Sequence, residues 1–221
     1  LLIIIVGYYA AKFYISIVPI AHLFGLVFFS IISSIIILFS IFLHELAHTI
    51  VSRHYNLDIT QIELNFLGGF TKLETDPTTP KSEKHIALVG LISNLFIGII
   101  IIAFFYVFRL KILNYLLASF YFVGISNIAI GIFNLIPAYP LDGGRILRAH
   151  FWSKSKDFFN ATYLAYKISV IIGSFFLSYG LYLIFILQLI QALFLLFIGI
   201  LLISSAKYSY TNSRKKLFKK G

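Results

Sequence analysis

Phe42-Leu43-His44-Glu45-Leu46-Ala47-His48 sets two histidines and a glutamate in the C-terminal half of an apolar run from Leu23 to about Val51. A run of that length and composition reads as a membrane-spanning helix. On a helix, residues four apart share a face, so His44 and His48 can direct two imidazoles at one metal ion. Glu45 lies about 100° further round, from where its carboxylate can reach a water beside that ion. The plain alternative is a pair of hydrogen-bonded histidines near a helix end. Against it, an unpartnered Glu within hydrocarbon costs about 2.5 kcal/mol or more, so Glu45 needs a partner or a chemical use. Zinc in a catalytic setting takes three protein ligands and one water, so a third donor is required from elsewhere.

The rest of the chain shares this apolar character. Of its 221 residues, 60% are hydrophobic and 12% charged, and the mean hydropathy is +0.95. A soluble domain would be about 45–50% apolar and ~25% charged. These values describe a polytopic membrane protein. No cleavage-site pattern follows the first apolar run, which is therefore read as a span rather than a signal peptide. The sequence has no Met, even at position 1, which leads us to expect residues upstream. With no cysteine, disulfides and thiol chemistry are excluded. The formal charge of +10 raises nucleic acid as a partner, but the cations lie between and after the apolar runs, as the positive-inside rule requires. No nucleic-acid partner is expected.

Six spans are expected: Leu1 to about Val18, Leu23 to Val51, Ile86 to Phe108, Ile112 to Phe133, and two within Tyr163–Ala206 with a turn between Tyr179 and Gln188. Arg53–Lys84 is the one sizeable polar insertion. Within it, Asp58–Phe66 and Phe70–Leu73 alternate, which predicts two short strands around a Gly68-Gly69 bend. Thr75–Pro80 reads as a loop. The expected fold is an all-α polytopic membrane protein with about six transmembrane helices and a small cytoplasmic-side β insertion between helices 2 and 3. Six spans put both termini on one side, together with Arg53, Lys72, Lys81, Lys84, Arg145, Arg148 and the basic C-terminus. That asymmetry places the termini, the insertion and the Asp142 segment on the cytoplasmic side of a multi-pass cell-membrane protein.

Asn134-Leu135-Ile136-Pro137-Ala138-Tyr139-Pro140-Leu141-Asp142-Gly143-Gly144-Arg145 follows the fourth span. Its prolines and Gly-Gly pair are read as breaking any helix. Irregular backbone at membrane depth is tolerated where protein or a water-filled cavity covers it. Asp142 lies on the same predicted side as His44 and so can supply the third ligand; an Asp-Gly turn is its plain reading.

Together these motifs resemble the site-2 protease family of intramembrane zinc metalloproteases, over about Pro19 to Arg148. The family's His-Glu-x-x-His stands here as His44, Glu45 and His48. Its Asn-x-x-Pro-x-x-Pro-x-Asp-Gly-Gly signature stands as Asn134, Pro137, Pro140, Asp142, Gly143 and Gly144. Gly68-Gly69 matches a strand element between spans two and three. Gly90-Leu91-Ile92-Ser93-Asn94 keeps the Gly and Asn of a Gly-Pro-x-x-Asn element and lacks its Pro.

The resemblance implies one zinc ion per chain, held by His44, His48 and Asp142, with Glu45 taking a proton from water and later passing one to the leaving amine. Asn134 and Asn94 would stabilise the oxyanion or hold the substrate backbone; helix–helix hydrogen bonding is the competing reading. The substrate would be the transmembrane helix of a membrane protein in the lipid bilayer, cleaved during regulated intramembrane proteolysis. The Gly68-Gly69 strand would pair with it once unwound, or only cap the bundle. The chain is read as a single transmembrane protease domain over 1–221, with a core at 23–150, outer gating helices at about 1–20 and 163–207, and a basic cytoplasmic tail at 208–221. The alternatives are a divalent-metal transporter, which often carries internal repeats not found here, and a catalytically silent membrane scaffold.

Overall fold

The computed structural model describes residues 2–18, 22–57, 59–65, 68–73, 77–108 and 114–218. In chain order its elements are α1 (Leu2–Ile17), α2 (Leu23–His54), β1 (Ile59–Asn65), β2 (Gly68–Leu73), α3 (Pro80–Phe108), α4 (Asn114–Asn134), α5 (Asp142–Ser155), α6 (Phe158–Phe185) and α7 (Leu189–Phe218). Among the described residues, five helices are long and apolar enough to cross a bilayer: α2, α3, α4, α6 and α7. The chain is an integral membrane protein. The expected first span, α1, is an apolar helix about 24 Å long over its described residues. Two compact units are formed, one by Leu1–Asp76 with Val89–Phe133 and the other by Pro77–Leu88 with Asn134–Gly221.

In the first unit, α2 is built inside out. Its buried residues are Ser30, Ser33, Ser34, Ile37, Ser40, His44, Glu45, His48, Thr49 and Ser52. They recur every three or four positions and make one polar, small-residue stripe. Leu23, Phe24, Phe28, Ile31, Ile35 and Phe39 are exposed. Lipid is as apolar as Leu, so burying Leu gains little there; small side chains that let helices approach closely gain more. Tyr14 of α1 hydrogen-bonds Ser33 on this stripe, within a cluster of Ala10, Tyr14, Val18 and Ala118 flanked by Phe13, Phe29 and Phe122. Helices α3 and α4 touch backbone to backbone: a Cβ on Gly98 would stand 2.9 Å from the Gly124 carbonyl oxygen.

Strands β1 and β2 pair antiparallel, with Asn65 opposite Gly68 and Leu64 opposite Gly69. The two glycines therefore stand in the ladder and do not form the expected bend.

The second unit departs from expectation in three places. First, α3 begins at Pro80, not near Ile86. Ser82 N–H donates to Thr79 Oγ1 at 3.1 Å, and Thr79 N–H donates to Ser82 Oγ at 3.3 Å. This reciprocal cap, with proline in the first helical position, starts the helix within the supposed loop. Second, α5 is a seventh helix, 14 residues long and too short to span. It begins at Asp142 and includes the Gly-Gly pair that was read as a breaker. A Cβ on Gly143 would lie 2.3 Å from the carbonyl oxygens of both Leu135 and Ile136, and one on Gly144 would lie 2.6 Å from the Ala138 carbonyl carbon. The glycines let the preceding loop fold flush against the helix start. Third, α7 continues through the supposed tail to Phe218.

Helices α6 and α7 form a hairpin turning at Ile186–Gln188, at the end of the predicted window. A Cβ on Gly173 would meet the Gly199 carbonyl oxygen at 3.0 Å, and one on Gly180 would meet Leu196 at 2.9 Å. These glycines serve close packing.

Candidate metal centre

The α2 stripe carries His44, Glu45 and His48 at 6%, 6% and 4% exposure. Their spacing turns both imidazoles to one side. His48 Nε2 and His44 Nε2 are 3.1 Å apart, and the rings meet edge to face at 88°. Thr49 Oγ1 donates to the Glu45 carbonyl oxygen at 3.0 Å.

Room for these rings comes from α3. A Cβ on Gly90 would stand 2.3 Å from His48 Cε1, 2.4 Å from His48 Nε2 and 2.8 Å from His44 Cε1. Any other residue would push the imidazoles aside. Asn94 follows one turn later on α3, at 1% exposure. Among the described residues its side-chain amide has no hydrogen-bond partner at either atom. A buried amide in that condition costs about 1–3 kcal/mol per unmet group.

Asp142 is the first residue of α5 and is 5% exposed. Arg145 Nη1 lies 4.0 Å from its Oδ1. The loop before it is held by Ala138 N–H donating to the Ile136 carbonyl at 2.7 Å and Leu141 N–H donating to the Ala138 carbonyl at 3.0 Å. Asn134, the last residue of α4, is half-buried.

Sequence reasoning missed the pair that anchors α5. Glu83, on the first turn of α3, is fully buried, and Arg148 of α5 is 7% exposed. Arg148 Nε donates to Glu83 Oε1 at 2.7 Å, and Nη2 donates to the same oxygen. The guanidinium carbon lies 4.6 Å from the Phe158 ring centroid and 5.3 Å from that of Tyr139. Tyr139 N–H in turn donates to Ser169 Oγ of α6 at 3.0 Å. Burial pushes the Tyr139 phenol above its ordinary pKa.

The donors fit zinc. Two buried imidazole nitrogens converge in a recess that a Cβ would fill, and imidazole and carboxylate are both zinc ligands. His44, His48 and Asp142, all buried, make up a donor set that could hold one metal ion.

A model of peptidase family M50 matches residues 32–114 and 109–178. A zinc metalloprotease of Methanocaldococcus jannaschii is 34% identical over 163 residues, 74% of this chain and 47% of its own length. A relative from Mycobacterium tuberculosis is 28% identical over 191 residues, 84% of this chain and 48% of its own. The chain thus spans about half the length of the curated relatives it matches. Among solved structures, the site-2 protease from Methanocaldococcus jannaschii aligns with a TM-score of 0.60 and 27% identity, over 93% of this chain and 88% of that one. The match to the family model covers most of the chain, including His44, Glu45, His48 and Asp142, and the chain belongs to peptidase family M50.

Proposed function

We propose that this chain is an intramembrane zinc metalloendopeptidase that hydrolyses peptide bonds in or near the transmembrane segments of other membrane proteins. The observation that carries the reading is the buried His44–His48 pair on a spanning helix, with facing Nε2 atoms 3.1 Å apart and Glu45 on the next position. His44, His48 and Asp142 would hold the metal. Zinc, when bound, supplies Lewis acidity, bringing the pKa of a water to about 7 and polarising a carbonyl.

The chain's own residues do the rest. The Glu45 carboxylate takes a proton from water and returns one to the amine as the peptide bond breaks. Its burial excludes competing solvent from that exchange. Asn94 offers an amide donor to the substrate carbonyl oxygen or backbone, and its lack of a partner among the described residues supports that role. Asn134 offers a second donor from the end of α4.

A helical substrate must unwind before its peptide bonds are reachable, and unwound backbone in lipid needs new partners. The β1–β2 hairpin, with Gly68 and Gly69 in its ladder, supplies an edge for that pairing. The distribution of positive charge supports a cytoplasmic-side hairpin and active site. One protease domain spans 1–221, with its core at 23–150, outer helices at about 1–20 and 163–207, and a basic end at 208–221. The named peptidase relatives favour hydrolysis over metal transport or a silent scaffold.

The test is incubation of the purified protein, reconstituted in lipid, with a membrane-protein substrate. Cleavage that stops with a zinc chelator and returns with added zinc is expected. Metal flux without cleavage would replace hydrolysis with transport.

A further inference from the structure

A groove of about 670 Å³ lies between the start of α3 and α5. Lys81, Lys84 and His85 line one wall from a single face of α3, and His150 and Ser153 line the other from a single face of α5. Both lysines and both histidines are exposed. Among the described residues, no acidic side chain lines the groove. Glu83, the one acid in the first turn of α3, is held in its buried pair with Arg148. Asp142, beside the groove residue Gly143, is buried with Arg145 near it.

The mouth is apolar. Leu135 is 56% exposed, and Pro137 and Ile146 continue the surface. From this end α3 runs on as a membrane span. A concentrated positive charge at the end of a span, beside exposed apolar surface, matches a molecule with a phosphate at one end and a hydrocarbon chain at the other. We propose that this groove is a binding site for an anionic phospholipid. Lys81 and Lys84 take the headgroup phosphate, His150 and Ser153 donate to it from the opposite wall, and the acyl chain lies along Leu135 and Pro137. Phospholipid binding here does not depend on the proposed hydrolytic chemistry.

The experiment is native mass spectrometry of the detergent-purified full chain, titrated with phosphatidylglycerol or with phosphatidylcholine. Phosphatidylglycerol binds and phosphatidylcholine binds more weakly. Lys81→Gln/Lys84→Gln weakens phosphatidylglycerol binding about thirty-fold, from two lysines at a membrane surface. His150→Glu, on the other wall, also weakens it. Lys154→Gln/Lys156→Gln, removing two exposed lysines outside the groove, changes it less than about two-fold. Equal losses from the two double variants, or no loss from the first, overturns the proposal in favour of diffuse attraction. Displacement of the lipid by equimolar inorganic phosphate also overturns it, because the site then recognises a free anion.

Discussion

Gly90 and His48 are packed so closely that a single added carbon on Gly90 would stand 2.3 Å from the imidazole. Two helices thereby share one small space, and a glycine on α3 decides where the ligands on α2 can point. Gly90→Ala should therefore behave unlike an ordinary glycine replacement. In a helix interior, alanine is favoured over glycine by about 1 kcal/mol. Here the helix persists while the imidazoles are displaced, and zinc affinity falls by about 10–100-fold. Competition against a chelating dye measures it. Unchanged affinity would mean that the rings move aside freely.

Glu45→Gln keeps the shape of the side chain and removes its basicity. Zinc content stays at the wild-type level and cleavage falls at least about 10²-fold. Metal analysis and a cleavage assay on one preparation separate the two effects. Full activity in that variant removes Glu45 from the chemistry.

Gly143→Ala sets a methyl group against two carbonyl oxygens at 2.3 Å. Backbone cannot yield as a side chain can, so about 1–3 kcal/mol of stability is lost and the start of α5 shifts. Gly131→Ala meets only Leu95, with its Cδ2 at 2.9 Å, and costs less. Thermal unfolding of both in one detergent gives the comparison; equal shifts would contradict the tight loop.

Arg148→Met strands Glu83 as a buried, unpaired carboxylate and costs about 3–5 kcal/mol. Glu83→Gln/Arg148→Met removes the charge as well as its partner and costs less than the sum of the single changes. A double-mutant cycle on unfolding measures the coupling. Additive losses would show that the pair contributes nothing as a pair.

Legibility in the sequence followed locality. His44, Glu45 and His48 were readable because the motif is contiguous and the helical period alone places the imidazoles together. The long spans were readable from apolar length. The start of α5 was not, because Gly143-Gly144 signals a break unless one knows that loop backbone presses against it. The start of α3 was hidden by Pro77 and Pro80; the Thr79–Ser82 cap was the available signal. Glu83 and Arg148 are 65 positions apart, and each looks like an ordinary interfacial charge. The serine stripe of α2 was present in the sequence at helical spacing, and reading it would have found the buried face.

Helix α2 outruns the bilayer. Its 32 residues extend about 48 Å, against roughly 30 Å of hydrocarbon. His44 stands ten residues before His54, the end of the helix, about 15 Å or three turns along the axis. The hydrolysis proposed above consumes one solvent molecule per turnover, so a site within hydrocarbon needs a supply line. An ion at that depth needs only a short aqueous shaft from the nearer boundary, leaving the long remainder of the helix to keep the opposite compartment sealed off.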